Sequence, residues 1–327
     1  MGHMVIEQAL TLNSTNVNDS LDPSTDWTTT MSAVNTGDRV VVKTESDGTT
    51  PIFPYEVYQA VSDSVSSYPP TNTSEWVRVG ASNAHRMFDG RNNSRTVATD
   101  SSGNIVASVE PAGRPKFVYL IGLRDVQRVE VDVSYSVAST PTTDTFESDL
   151  LISYNAVGFY SWLFDIKAVD RSYRRSAGFY IVTQPSPPFS PTITVTLYGS
   201  AELPAQCGQL IIGTGFWLGD TEWGVEPALK DYSTFEASAF GDKELVPRQN
   251  TREMSGTLWV PTNDYDRVFQ IFETRINQLA LFDFNNGDDI SSGDVKDALR
   301  VYGKLSSISG GLQYNKTPIN LRIEGNS

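Results

Sequence analysis

The chain has one cysteine, two histidines, and 25 basic residues against 39 acidic ones. Each shortage excludes something. With Cys207 alone, no intrachain disulfide can form and no cysteine-based zinc site can be built. "MGHM" at the start reads as a cloning remnant, which leaves His85 as the one natural histidine. A Ser-His-Asp triad or a multi-histidine metal site then has almost nothing to draw on. The formal net charge of −14 repels a phosphate backbone, so no nucleic-acid partner is expected. The nearest basic cluster is Arg171, Arg174 and Arg175 in "DRSYRRS", which reads as a solvated hairpin end. No stretch approaches the ~20 apolar residues of a membrane span, so no membrane insertion is expected.

Runs of Ala, Leu, Glu and Lys are also nearly absent, whereas Ser, Thr, Asn and Gly abound. That composition favours strands and turns over helices. Hydrophobic residues make up 39 % and aromatics 11 % of the 327 residues, enough for packed cores and too long a chain for a single one. The expected fold is mainly β in three parts: a small β module over 1–80, a jelly-roll-like β-sandwich over 81–203, and an α+β docking domain over 204–327.

In the first part, "GDRVVVKTESDG", "YEVYQAV" and "WVRVG" read as strands. Such a module is too small for an ordinary core, and Trp27, Tyr55, Tyr58, Tyr68 and Trp76 supply the apolar bulk. The polar loop "YPPTNTSEW" is bracketed by Tyr68 and Trp76, its prolines stiffening the chain between two rings. Two readings follow: both rings close the core, or they form a stacking platform for a sugar face. The favoured arrangement gives Trp76 to the core and a contact role to Tyr68, Tyr55 or Tyr58.

In the second part, Val129, Val131, Val133 and Tyr135 of "VEVDVSYSV" alternate with polar residues, as in a half-buried strand. Further runs, "NIVASVE", "KFVYLIGL", "DLLISY", "GFYIV" and "TITVTLYGS", are punctuated by Gly, Pro and Ser. In the third part, "DYDRVFQIFETRINQL" is the one convincing helix. Val268, Phe272, Ile276 and Leu279 form its apolar face, with Asn263 or Thr262 as cap. "QLIIGTGFWLG", "MSGTLWV" and "LALFDF" are strands, and the tail reads as a strand, a Gly-Gly turn and a closing strand.

Candidate chemistry is thin. Asp89, Asn92 and Asn93 offer hard oxygen ligands for calcium, yet Asp-Gly-x-Asn is more simply a turn. Asp288, Asp289 and Asp294 lack the ligand alternation of an EF-hand loop. Asp220 and Glu222 could flank a sugar as a carboxylate pair. No catalytic residue, metal or cofactor is assigned.

Gly37-Asp38 before a valine strand, Tyr58, Pro70, Trp76 and Gly80 fall in an order that resembles chitin-binding-type carbohydrate-binding modules. The insert "TESDGTTPIFP" is longer than that pattern has. "MFDGRNNSRT" resembles a loop of galactose-binding sandwiches. Together with "IGTGFWLGDTEWGVEPALKDYSTFEASAFGDKELVPR" before a helix and a "YG" strand, it also resembles structural proteins of tailed bacteriophages. The resemblance implies a non-enzymatic virion component of the tail tip or baseplate, assembled in the host cytoplasm. Its partners would be other tail proteins, further copies of itself and a host-surface glycan. The alternatives are a polysaccharide-degrading enzyme with an appended binding module, and a surface adhesin.

Overall fold

A computed structural model of the chain describes residues 4–8, 10–15, 21–23, 25–91, 94–137, 140–152, 172–173, 175–181, 190–222, 224–237, 243–248, 250–276, 278–284 and 299–326. The described chain is mainly β, its strands paired in antiparallel sheets, with one main helix near the C-terminus. Two strands, β1 (Met4–Gln8) and β2 (Leu10–Thr15), lead into the small module, whose three strands β3 (Arg39–Thr44), β4 (Pro51–Ala60) and β5 (Trp76–Ala81) pair as a meander. A 3₁₀ turn over Asn83–Phe88 follows. Then come β6 (Thr96–Val97), β7 (Ile105–Pro111), β8 (Phe117–Ile121), β9 (Arg128–Val137), β10 (Thr140–Asp149), β11 (Leu151–Ile152), β12 (Ser172–Tyr173), β13 (Ser176–Tyr180) and β14 (Thr192–Tyr198). The rest comprises β15 (Gln206–Cys207), β16 (Gln209–Trp217), β17 (Asp220–Thr221), β18 (Glu226–Asp231), β19 (Thr234–Ala237), β20 (Lys243–Val246), β21 (Asn250–Pro261), helix α1 (Tyr265–Arg275), β22 (Ala280–Asp283), β23 (Arg300–Gly310) and β24 (Lys316–Gly325).

The sandwich forms where alternation is strictest. In the five-stranded sheet β10-β9-β14-β7-β2, Ile105, Ala107, Val109, Val129, Val131, Val133, Ile193, Val195 and Leu197 all point inward. They meet Val118 and Leu120 of β8, Ala177 and Phe179 of β13, and Leu210 and Ile212 of β16. Tyr135 continues the β9 face, half-buried at its edge. A period of two puts one residue in two on this face and leaves Thr192, Thr194 and Thr196 on the other.

The boundary expected at 203/204 does not divide the sheets. Strands β8, β13 and β16 belong to a ten-stranded sheet ordered β13-β8-β16-β1-β22-β23-β24-β21-β17, with β18 also on β21. Strand β1 is its middle member, pairing β16 on one side (Val5↔Phe216) and β22 on the other (Val5↔Phe282). The stretch 4–15 therefore pairs with the sandwich and the C-terminal strands rather than with β3–β5, although 1–80 was expected to form one module. The ladder begins at Met4, inside the tetrapeptide read as a cloning remnant. Directly opposed residues share a face, so Leu210, Phe216 and Phe282 lie on one side of this sheet. The five-stranded sheet covers that side at one end, and α1 covers it at the other through Val268 and Phe272.

Helix α1 is shorter than its periodicity predicts. It ends at Arg275, so Ile276 and Leu279 fall past its C-terminus and are exposed. Neither expected cap operates at its start: Asp264 is the N-cap, without a side-chain bond, and the Thr262 hydroxyl donates to the Gln313 carbonyl at 2.7 Å.

On the opposite side of the large sheet lies a second packing surface of Phe117, Tyr119, Ile211, Leu281 and Tyr302. It encloses a buried ion pair between the facing residues Asp283 and Arg300, with Nε to Oδ2 at 2.9 Å. The Tyr119 hydroxyl donates to the same oxygen at 2.9 Å, and the Arg300 guanidinium lies 4.6 Å from the Tyr119 ring centroid. Burial and the Asp283 charge raise the Tyr119 phenol far above its ordinary pKa. Opposite Tyr119 stands Gly178, where a Cβ would come within 2.3 Å of the ring, so only glycine fits. Arg300→Ala would strand a buried carboxylate and should cost roughly 3–5 kcal/mol, whereas Lys316→Ala, which breaks the exposed Asp220 pair, should cost about 1 kcal/mol or less. Urea unfolding of the two variants against the parent checks the contrast.

Candidate functional site

The small module is built on its aromatics. Trp76, 2 % exposed, closes a core with Trp27, Val40, Val42, Tyr58, Ala60 and Val65. Its indole Nε1 donates to Ser67 Oγ at 3.2 Å, while Trp27 Nε1 donates to the Ser67 carbonyl at 3.2 Å. Around that serine the loop sews itself together. Ser67 Oγ donates to Glu75 Oε2 at 2.5 Å, and Asn72 Nδ2 donates to both Ser67 Oγ (3.1 Å) and Glu75 Oε2 (2.7 Å). A loop without regular structure thus satisfies its buried polar groups locally, and the two indoles anchor it. The prolines contribute a short 3₁₀ turn over Pro69–Thr71.

The four proposed sugar-contact residues do not form one platform. Trp76 and Tyr58, 7 % exposed, are buried and offer no face to a ligand. Tyr58 donates to Glu56 at 2.7 Å, and burial with that bond raises its phenol well above the ordinary value. Tyr68 is half-buried, edge-on to Trp27 at 4.8 Å, its hydroxyl donating to the Thr44 carbonyl at 3.2 Å. Tyr55 lies three residues from Tyr58 on the same strand and therefore on the opposite face. There its ring sits 4.1 Å from His85. Phe53, two residues before Tyr55 and 39 % exposed, shares that face and contacts His85 (5.6 Å) and Phe88 (5.3 Å). Phe53, with the exposed Val77 and Val79 of β5, leaves more apolar surface open than any of the four candidates; its period-two spacing from Tyr55 was the available signal.

His85 is the hinge-pin between this module and the rest. It is 3 % exposed, and its Nδ1 lies 2.9 Å from Ser82 Oγ. The 3₁₀ turn that carries it is fixed from outside. Both Asp22 carboxylate oxygens accept from the Asn83 N–H (2.9 and 2.7 Å), and the Asn83 carboxamide pairs with both backbone groups of Val97. The neighbouring "FDG" turn is likewise held. The Gln209 carboxamide oxygen, in the orientation its neighbours require, accepts from the Gly90 and Arg91 N–H groups, and Asn326 donates to the Gly90 carbonyl. Asp22, Asn83, Gln209 and Asn326 carried no sequence signal, because their partners lie far away along the chain.

For calcium, Asp89 accepts from its own turn at Arg91 N (2.8 Å), and burial raises its carboxyl above the ordinary value. Asn92, Asn93, Asp288, Asp289, Asp294, Arg171 and Arg174 lie outside the described residues. Among the described residues, no three His, Cys, Asp or Glu side chains converge to hold a metal. Cys207 is fully buried, and burial pushes its thiol up to about 12, leaving it protonated and unreactive. Of the carboxylate pair, Asp220 is engaged by Lys316 at 2.8 Å. Glu222 instead lines an open cleft of about 280 Å³ with Glu226, Ser255, Thr257 and Asn320.

Burial, with a smaller contribution from the Lys43 charge, lowers the His85 pKa from 6.5 to about 4. The folded state therefore refuses a proton that the unfolded chain accepts. Stability is full above pH 6.5 and falls as the pH drops toward 4, by a total of about 3 kcal/mol from this group. His85→Phe should melt with a shallower acid dependence across that window, measured by thermal melting at several pH values; equal slopes would refute the assignment.

Comparison of the chain with protein-family models, with curated proteins and with solved structures finds no match.

Proposed function

We propose that this chain is a structural protein of a tailed-bacteriophage virion, at the tail tip or baseplate, that assembles with other tail proteins and touches a host-surface glycan. One observation carries the assembly part. Every residue of β18 is exposed, and among the described residues β19 and β20 pair only with each other. Strands β18, β19 and β20 display Leu229, Phe235 and Leu245 to solvent, at 71 %, 70 % and 52 % exposure. An isolated two-stranded hairpin is marginal in water, and exposed apolar strands invite pairing with another chain. Such a surface is useful to a protein whose partners cover it. The phage identity rests on the residue order around "MFDG" and the C-terminal strand-helix-strand pattern.

The glycan part is narrower than four stacked rings. The surface open to a sugar is the edge of Phe53 and Tyr55. Weak contacts of this kind gain strength when many copies act together.

Immunogold electron microscopy of phage particles from the source, with an antibody to this chain, should place label at one tail end. Intact particles with accessible tails and no label, beside a soluble pool of the protein, would refute the proposal and make polysaccharide cleavage the next assay.

A further inference from the structure

The small module meets the body of the chain along a narrow seam. Among the described residues its sheet β3-β4-β5 pairs with no other strand, and its core around Trp27, Tyr58 and Trp76 shares no residue with the sandwich core. The 3₁₀ turn Asn83–Phe88 stands on the body side of that seam. Its Asn83 carboxamide holds both backbone groups of Val97, its Met87 N donates to Thr96 Oγ1 at 3.0 Å, and Met87 and Phe88 belong to the sandwich core. His85 projects from this turn onto two rings of the module, Tyr55 at 4.1 Å and Phe53 at 5.6 Å. Beside it the Ser82 N–H donates to the Tyr55 carbonyl at 2.8 Å.

A proton on His85 meets nothing in the seam that welcomes it. The ring's one hydrogen-bond partner among the described residues is Ser82 Oγ, 2.9 Å from Nδ1, and no carboxylate accepts from it. The charged groups around it are already engaged or of the wrong sign. Lys43 of β3 is paired with Asp26 at 2.9 Å, and Glu56 of β4 with Arg78 of β5 at 2.6 Å. Asp22 accepts from the Asn83 N–H, and Arg86 and Asp89 lie on the turn itself, Asp89 accepting from Arg91 N. Of these, Lys43 bears on the imidazole, and its charge repels the proton. A charged ring would therefore be held out of water against two aromatic rings, and parting the seam is the least disruptive relief.

We propose that His85 is an acid-operated latch: proton uptake by its imidazole parts residues 25–81 from the 83–88 turn as a folded unit and uncovers the Phe53 and Tyr55 rings. The module keeps its own core, which contains no histidine. In the closed form the imidazole protonates at about 4, and in the open form, exposed to water, at its ordinary 6.5. The closed form thus binds fewer protons, and opening is favoured as the pH falls below 6.5. Between pH 7.5 and pH 5 the opening constant rises about 30-fold. Asp89, whose carboxyl is held above its ordinary value by burial, titrates in acid with the opposite sign. A neutral replacement of His85, rather than the pH profile alone, therefore identifies the latch. The switch needs neither a virion nor a glycan, so it and the tail reading fail separately.

Amide hydrogen exchange of the full chain at pH 7.5 and pH 5, expressed as protection factors so that the intrinsic pH dependence divides out, reads the opening even when the open form is a minor state. Protection over 82–88 should drop about 30-fold at pH 5, while β3, β4 and the sandwich strands β7, β9 and β14 keep theirs. His85→Gln, neutral at both pH values, should lose no such protection. Lys43→Met keeps the imidazole, removes the repelling charge and should lose less than the parent. Unchanged protection over 82–88 in the parent, a loss spread equally through both cores, or the same loss in His85→Gln or an undiminished one in Lys43→Met would overturn the proposal.

Discussion

The carboxylate of Asp283 is the point on which the long sheet turns. It accepts from Arg300 on the neighbouring strand β23 and from Tyr119 on β8, three strands away across β16 and β1. A buried charge is tolerable only when paired and hydrogen-bonded, so this one fixes two halves of a sheet in a single register. The surroundings comply: Gly178 gives up its side chain to the Tyr119 ring, and the Arg300 guanidinium lies over that ring. The Arg300 Nη1 and Nη2 atoms have no hydrogen-bond partner among the described residues. With those two nitrogens desolvated and unpaired, the cluster adds little net stability, as is common for ions taken out of water.

Aromatic bulk in the small module follows a similar economy. Three strands cannot hide enough aliphatic surface, and two indoles with two phenols make up the deficit. A ring spent on the core is not available to a sugar. The face that remains, with Phe53 and Tyr55, is partly consumed by packing on His85, through which the module meets the 3₁₀ turn and the sandwich beyond it.

The third part of the chain divides its roles by position along one ladder. Strands β21 and β24 run side by side from Glu253↔Glu324 to Pro261↔Lys316, and α1 packs on the sheet through Val268 and Phe272. Beyond that packing, Leu229, Phe235 and Leu245 at one end and Leu312 and Tyr314 at the other are exposed.

The amino-acid sequence by itself determined the β character, the strands of strict alternation and the location of the one helix. These depend on local periodicity and turn chemistry, which neighbours in the chain carry. The buried face of Val129, Val131 and Val133 was legible for that reason, as was the core role of Trp76. Only the tertiary structure decided that β1 sits in the middle of a ten-stranded sheet, that Ile276 and Leu279 lie outside the helix core, and that Tyr55 and Tyr58 look opposite ways. It also decided which polar residues matter. Asp283, Arg300, Asn83 and Gln209 resemble any other polar residue in the sequence, and their significance comes from partners brought close by folding. Strand pairing and burial are contacts between distant segments, and no local pattern records which edge a strand will choose.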